Sequence, residues 1–200
     1  RPTHENTSWD AYRFEVSAHR WVRLENASRS WAIANDATYG WDVTRHQNDR
    51  RGTWSQVRAT LVKSARFPDP DQDQGHHKWT FRIVPDASVL EAVAAGQQIN
   101  LGEREVSGAP VDAPFSVDGP VVESVALAPD RSGDLVIRLY EAEGGPSRVT
   151  FRAPKAGSVT ACDLRYRPSE SEPELRGGQG EWSFDLSAFQ ITTLRVSFAK

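Results

Sequence analysis

"DLVIRLYEAEGGPSRVTFRAP", residues 134–154, decides the reading of the fold. Leu135, Ile137 and Leu139 fall on alternate positions, and so do Val149 and Phe151, with Arg148, Thr150 and Arg152 between them. A period of two puts the apolar side chains on one face of a strand and the polar ones on the other. The glycines and proline between the two runs are turn residues. The pair therefore reads as two half-buried strands of a sheet, and the same pattern continues on both sides. "VVESVALA" (121–128), "SVTACDLRYR" (158–167), "EWSFDLSA" (181–188) and "QITTLRVSFA" (190–199) are further strands, the last with Leu194, Val196 and Phe198 inward. Their spacing suits a small sandwich of about 80 residues. "PSESEPELRGGQG" (168–180) is a long polar loop within it.

The N-terminal half carries the same alternation. "YRFEVSAHRWVRL" (12–24), "SWAIAND" (30–36), "WSQVRATLV" (54–62) and "HKWTFRIV" (77–84) read as strands, separated by "NDATYGWD", "RHQNDRRG" and "FPDPDQDQG". Only "ASVLEAVAAG" (87–96) has helical character, with Val89, Leu90 and Val93 on one face and Gly96 placed to stop it. Residues 105–120, rich in proline and poor in charge, read as a linker or extended crossover.

Composition narrows the function classes. The 200 residues suffice for one large or two small domains, and 38% hydrophobic with 26% charged residues is ordinary for a globular protein. A net charge of −3 gives no global attraction to nucleic acid or anionic membrane. No apolar run approaches the ~18 residues of a membrane span. Cys162 is the only cysteine, which excludes an internal disulfide and a cysteine zinc site. The chain contains no methionine and begins "RPTHENTSWD", so it is expected to be a piece of a longer protein. Asn6-Thr7-Ser8 and Asn26-Ala27-Ser28 match the loose glycosylation triplet and carry little weight.

Three groups of residues have chemical interest. "FPDPDQDQGHH" (67–77) concentrates Asp69, Asp71, Asp73, His76 and His77. It imitates a calcium loop, but the glycine falls one place late and Thr80 stands where a bidentate Glu belongs. The adjacent histidines lack the spacing of a zinc pair. The spacing favours a solvated turn over a metal site. Six of the seven tryptophans lie in the first 80 residues. Trp21, Trp31, Trp54 and Trp79 are expected to fill a core, while Trp41 sits in a turn where an exposed, sugar-stacking ring is the competing reading. That turn also holds Asn35, Asp36, Tyr39, Gly40 and Asp42, a set suited either to grasping sugar hydroxyls or to tying the turn together. Asn35, Asp36, Tyr39, Gly40, Trp41 and Asp42 are the candidate pocket residues. No residue is a candidate catalytic group or metal ligand.

These patches together resemble the C-terminal region of the α-mannosidases of glycoside hydrolase family 38. In that family an "NTSWD…FEV…AHRW" strand precedes an "LLND-KYG-D" loop and then a "PDP-AD-G-H-FTY" segment. Here "THENTSWDAYRFEVSAHRWVRL", "WAIANDATYGWDV" and "FPDPDQDQGHHKWTFRIVPD" stand in the same order. "DLVIRLYEAEGG" and "LSAFQITTLRVSF" are similar to the family's "LVLRLYE" and "PFEI-TLRL" strands. Thr38 stands where many relatives have a lysine, so no ligand role is carried over to it.

The resemblance implies an all-β chain. Residues 1–86 would be the end of a mutarotase-like large sandwich, 87–117 a connector with one short helix, and 118–200 a small Ig-like sandwich. It implies a retaining, exo-acting parent enzyme that removes terminal α-linked mannose from oligosaccharides. The parent's nucleophile, acid and single divalent metal, usually zinc, would lie in an N-terminal barrel, with no cofactor in this chain. The partners implied are that barrel, the rest of the large sandwich and a mannose-containing oligosaccharide, with no nucleic acid and no membrane. A homo-oligomer and a cytoplasmic location are further expectations. A stand-alone carbohydrate-binding module and an unrelated adhesion-type sandwich are the alternatives. This chain alone is expected to be inactive.

Overall fold

The computed structural model describes residues 14–198 apart from 51, 104, 110 and 170–172. Tyr12, Trp9 and the Asn6-Thr7-Ser8 triplet lie outside the described residues. Two compact units divide at Arg104 and Glu105, and each is described by itself. The all-β expectation is met by four antiparallel sheets and a single long helix among the described residues.

The first unit contains β1 (Val16–Ser17), β2 (Trp21–Glu25), β3 (Ser30–Asn35), β4 (Gly40–Asn48), β5 (Gly52–Ala59), β6 (Phe81–Pro85) and α1 (Val89–Asn100). One sheet has the order β1-β4-β5 and the other β2-β3-β6. The single strand expected over 12–24 is instead two strands in different sheets. Arg20, in the left-handed region at φ 67°, breaks it, and the chain resumes at Trp21. Arg20 O meanwhile accepts a hydrogen bond from Asn35 N at 2.9 Å. "RHQNDRRG" supplies the ends of a long β4–β5 hairpin in which His46 lies opposite Trp54.

Helix α1 begins with Ser88 as N-cap. Its hydroxyl accepts from Glu91 N, and the Glu91 carboxylate accepts from Ser88 N, a reciprocal capping box. The helix runs through Gly96 to Asn100, so Gly96 does not stop it. Gly96 instead allows close approach: a Cβ there would sit 3.1 Å from Trp21 Cδ1 and 3.2 Å from Arg20 Cβ. The buried face is Ala92, Val93, Ala95 and Gly96, and Leu90, expected inward, is exposed. Small residues let the helix lie on the β2-β3-β6 sheet, where Ala32, Ala87 and Ala92 form a core with Trp21 and Val84. The segment 87–117, expected as a connector, is therefore divided, with α1 packed in the first unit and Phe115 and Val117 against the core of the second.

The second unit follows the sequence reading closely. It contains β7 (Ser116–Asp118), β8 (Val121–Leu127), β9 (Leu135–Tyr140), β10 (Ser147–Arg152), β11 (Ala156–Cys162), β12 (Arg176–Gly178), β13 (Glu181–Leu186) and β14 (Ile191–Phe198). The sheets have orders β12-β13-β10-β7 and β11-β14-β9-β8. Their inner faces share one core: Val149, Phe151, Trp182 and Phe184 from the first, Ile137, Leu139, Leu194 and Val196 from the second. The strand β12 lies inside the stretch expected to be loop. Two carboxylate pins hold the ends. Arg195 on β14 reaches Asp134 and Asp130, both at 2.7 Å. The Glu141 carboxylate accepts from the backbone N–H groups of Glu143, Gly144 and Phe189 at 2.6, 2.8 and 2.9 Å.

Candidate functional site

The Asn35–Asp42 segment connects β3 of one sheet to β4 of the other. Asn35 ends β3 and is buried. Its Oδ1 accepts from Ala37 N at 3.1 Å and Thr38 N at 2.8 Å, and its main-chain oxygen accepts from Asn100 Nδ2 at 2.8 Å. These bonds make the turn that asparagine favours, and they face inward. Asp36 Oδ1 accepts from Thr80 N at 2.9 Å, tying the turn to the start of β6. That bond holds the Asp36 carboxyl below its usual range. Thr38 is buried, with its hydroxyl on Thr60 O.

Tyr39 differs from these neighbours. It is 57% exposed, and its ring stacks on His19 with centroids 5.3 Å apart and an interplanar angle of 20°. Its backbone oxygen is fixed by Ala18 N at 2.9 Å. Gly40 lies in the segment expected to be a turn, but it starts β4 opposite Ser17, and its φ is not positive. The reason for glycine is crowding, since a Cβ would meet Glu15 Oε1 at 2.9 Å and Thr60 Cβ at 3.1 Å.

Trp41 overturns its expectation. It is the buried tryptophan of the segment, 2% exposed and edge-on to Phe81 at 6.4 Å. Trp21, Trp54 and Trp79 are only half-buried, and Trp31 is 41% exposed. Strand alternation shows which residues share a face, but not which face another layer covers. Asp42 is engaged by Arg58 Nε at 2.7 Å and by Thr44 Oγ1 at 3.0 Å, across and along the hairpin. Of the six candidate residues, then, Asn35, Trp41 and Asp42 form the frame, Asp36 ties the turn to β6, Gly40 admits Glu15, and Tyr39 presents an open aromatic surface.

Sequence reading missed the groups beside this segment. Glu15 Oε1 accepts from the Thr60 hydroxyl, and Oε2 takes Lys63 Nζ at 3.0 Å. The Thr60 bond, then Lys63, holds the Glu15 carboxyl below its usual range. Residues 15, 40, 60 and 63 meet only because β1 pairs with β4 and β4 with β5. No local pattern signals that meeting.

The 67–81 stretch forms a turn of its own. Asp73 Oδ2 accepts from Lys63 N and Ser64 N at 3.0 and 2.9 Å. His77 stacks on Trp79 at 5.3 Å. Among the described residues no three His, Cys, Asp or Glu side chains come together to hold a metal ion. The described carboxylates with displaced pKa values, including Glu15, Asp36 and Glu141, are displaced downward by hydrogen bonds. Such groups are poor general acids at neutral pH. No helix among the described residues is long and apolar enough to cross a membrane.

Comparison with known proteins sets this geometry in a family. Residues 1–71 match the glycosyl hydrolases family 38 C-terminal domain. Residues 119–194 match the glycosyl hydrolases family 38 C-terminal beta sandwich domain. The chain is 35% identical to Alpha-mannosidase 2C1 of Homo sapiens over 210 residues, covering 97% of this chain and 19% of that protein. It is 30% identical to Alpha-mannosidase G of Dictyostelium discoideum over 212 residues, covering 98% of this chain and 18% of that protein. Similarity to the Alpha-mannosidase of Saccharomyces cerevisiae is 28% over 226 residues, covering 99% of this chain and 20% of that protein. The chain thus spans about a fifth of the length of the curated relatives it matches, and the two family matches follow one another in its two units. With both units matched and relatives aligned along nearly its full length, the chain belongs to the C-terminal region of glycosyl hydrolase family 38.

Proposed function

We propose that this chain is the accessory C-terminal β-region of a retaining α-mannosidase that removes terminal mannose from oligosaccharides. It supports an N-terminal catalytic barrel and shapes the edge of the substrate pocket. The carrying observation is Tyr39, an exposed ring mounted on a hydrogen-bonded turn whose Asn35, Thr38 and Trp41 are buried. A rigid mount limits the conformational freedom lost when an aromatic ring meets a sugar face. Retention requires two carboxyl groups roughly 5 Å apart flanking the bond. The acid of that pair must be protonated, and the described carboxylates with displaced pKa values are held in the charged form, which supports placing the acid in the rest of the parent. The stand-alone binding module loses support because Trp41, its second aromatic, lies under Phe81. We also place the parent in the cytoplasm, since Cys162 is buried and has no second cysteine in this sequence, which suits a reducing compartment.

The test uses the full-length enzyme. Tyr39→Phe removes a hydroxyl and Tyr39→Ala removes the ring. If the hydroxyl bonds the sugar in the transition state, Tyr39→Phe should lower kcat/KM roughly 5- to 150-fold, the equivalent of about 1–3 kcal/mol. Tyr39→Ala should lose at least as much, with melting temperature nearly unchanged. Normal kinetics for both variants would show that Tyr39 does not contact substrate.

A further inference from the structure

Tyr39 is covered on one side by a ring from another segment. Strand β1 pairs with β4 through Val16 opposite Trp41 and Ser17 opposite Gly40, and Ala18 N still donates to Tyr39 O at 2.9 Å. Had the strand continued, His19 would point to the face of the sheet away from Ala18 and its partner Tyr39. The chain bends instead. His19 O accepts from Trp21 N at 2.9 Å, and Arg20, at φ 67°, turns the backbone toward β2. The bend brings the His19 ring over Tyr39, with centroids 5.3 Å apart and planes 20° from parallel.

The conformation at Arg20 is one that a residue with a Cβ adopts at a steric cost. Neighbours hold it there. Arg20 O accepts from Asn35 N at 2.9 Å, and α1 abuts the residue closely enough that a Cβ at Gly96 would sit 3.2 Å from Arg20 Cβ. The stacks of His46 on Trp54 and His77 on Trp79 need no such device. His46 lies directly across the β4–β5 hairpin from Trp54, and His77 is two residues from Trp79. Both rings of the His19–Tyr39 pair are exposed, so burial of apolar surface does not account for their pairing. What the stack fixes is direction. An exposed tyrosine on an unconstrained mount spreads over about three staggered χ1 wells. A ring lying against one face of Tyr39 excludes the wells that would swing the phenol through it.

We propose that His19 is a positioning residue: it holds Tyr39 in the one orientation that meets substrate, and the sugar lies against the face of Tyr39 opposite His19. The proposal rests on the reading of Tyr39 as a substrate contact, and deepens it by naming what aims the ring.

Kinetics of the full-length enzyme on a nitrophenyl α-mannoside test it. Without the His19 ring, Tyr39 should occupy the productive well about a third of the time, so His19→Ala should lower kcat/KM about 3-fold. The change should fall on KM, because a stacked sugar itself selects that well once bound, and the melting temperature should stay nearly unchanged. His19→Phe, which keeps a ring in the stack and removes the imidazole nitrogens, should retain the parent KM. In the Tyr39→Ala background, His19→Ala should have no further effect. An unchanged KM for His19→Ala would overturn the proposal. An equal loss in His19→Phe would make the imidazole itself the acting group, and an equal loss in the Tyr39→Ala background would make His19 independent of Tyr39; either result would overturn it as well. The two readings fail differently. Normal kinetics for Tyr39→Ala removes Tyr39 from the substrate and this proposal with it, whereas an impaired Tyr39→Ala beside a normal His19→Ala removes the role of His19 alone.

Discussion

Replacing Asn35 with alanine separates a frame from a binding site. The substitution removes the acceptor for two backbone donors, Ala37 N and Thr38 N. The Thr38 donor is buried, and leaving it unpaired costs about 1–3 kcal/mol; the Ala37 donor lies near solvent, and its loss costs about 0.5 kcal/mol. An opposing contribution comes from Asn35 Nδ2, which is buried without a hydrogen-bond partner, so deleting it recovers about 1 kcal/mol. The net expectation is a loss of about 1–2 kcal/mol. For a unit of roughly 100 residues, that lowers the melting temperature by about 5–15 °C. Asn35→Ser should recover part of the loss, because a hydroxyl accepts in the same turn more weakly and carries no surplus amide. Tryptophan fluorescence is a suitable probe, since only Trp182 lies in the second unit. Melting of Asn35→Ala within about 1 °C of the parent would refute this accounting. Loss of enzyme activity with unchanged stability would point to Asn35 acting on a ligand.

Two further outcomes follow from the same geometry. Trp41→Ala should destabilise the first unit by about 3–5 kcal/mol, and Trp41→Phe, which fills most of the space and omits the partnerless indole N–H, by less than about 1.5 kcal/mol; urea unfolding measures both, and an alanine variant of full stability would remove Trp41 from the core. In the second unit, Ser132 and then Arg195 lower the Asp130 carboxyl from 3.8 to about 2, so the charged form stabilises the fold. That contribution is whole above about pH 4 and is lost as pH falls through about 2. Arg195→Gln should partly flatten the acid limb of urea midpoints across this window, and an unchanged limb would exclude a contribution from Arg195.

The two units differ in how far their sequence could be read. In the second, Ile137, Leu139, Val149, Phe151, Leu194 and Val196 alternate with polar neighbours, and both sheets that cover one another are in the chain. Alternation then coincides with burial. In the first unit Trp31 and Ile83 alternate just as well, yet they stay open because the described residues supply no layer to cover them. The alternation that points Trp21, Trp31, Trp54 and Trp79 toward a core cannot show whether a partner sheet is present. A glycine near a helix end is more often a stop than a contact point, so the close approach at Gly96 is not legible in the sequence. The turn at Asn35–Asp42 was legible as a turn, but not as a scaffold for one exposed ring. Its half-buried partners Thr60 and Asn100 are distant in sequence.

The close approach at Gly96 makes the helix intolerant of changes in length. Successive helical residues are separated by about 100° of rotation and 1.5 Å of rise. One residue inserted between Ser88 and Gly96 would swing the glycine away from Trp21 and set a larger side chain in its place. The insertion would also displace Asn100, whose amide holds the backbone of Asn35 and of Gly96. Insertions and deletions among functional homologues should therefore be confined to the stretch after Leu101, leaving the interval from the cap to the glycine constant.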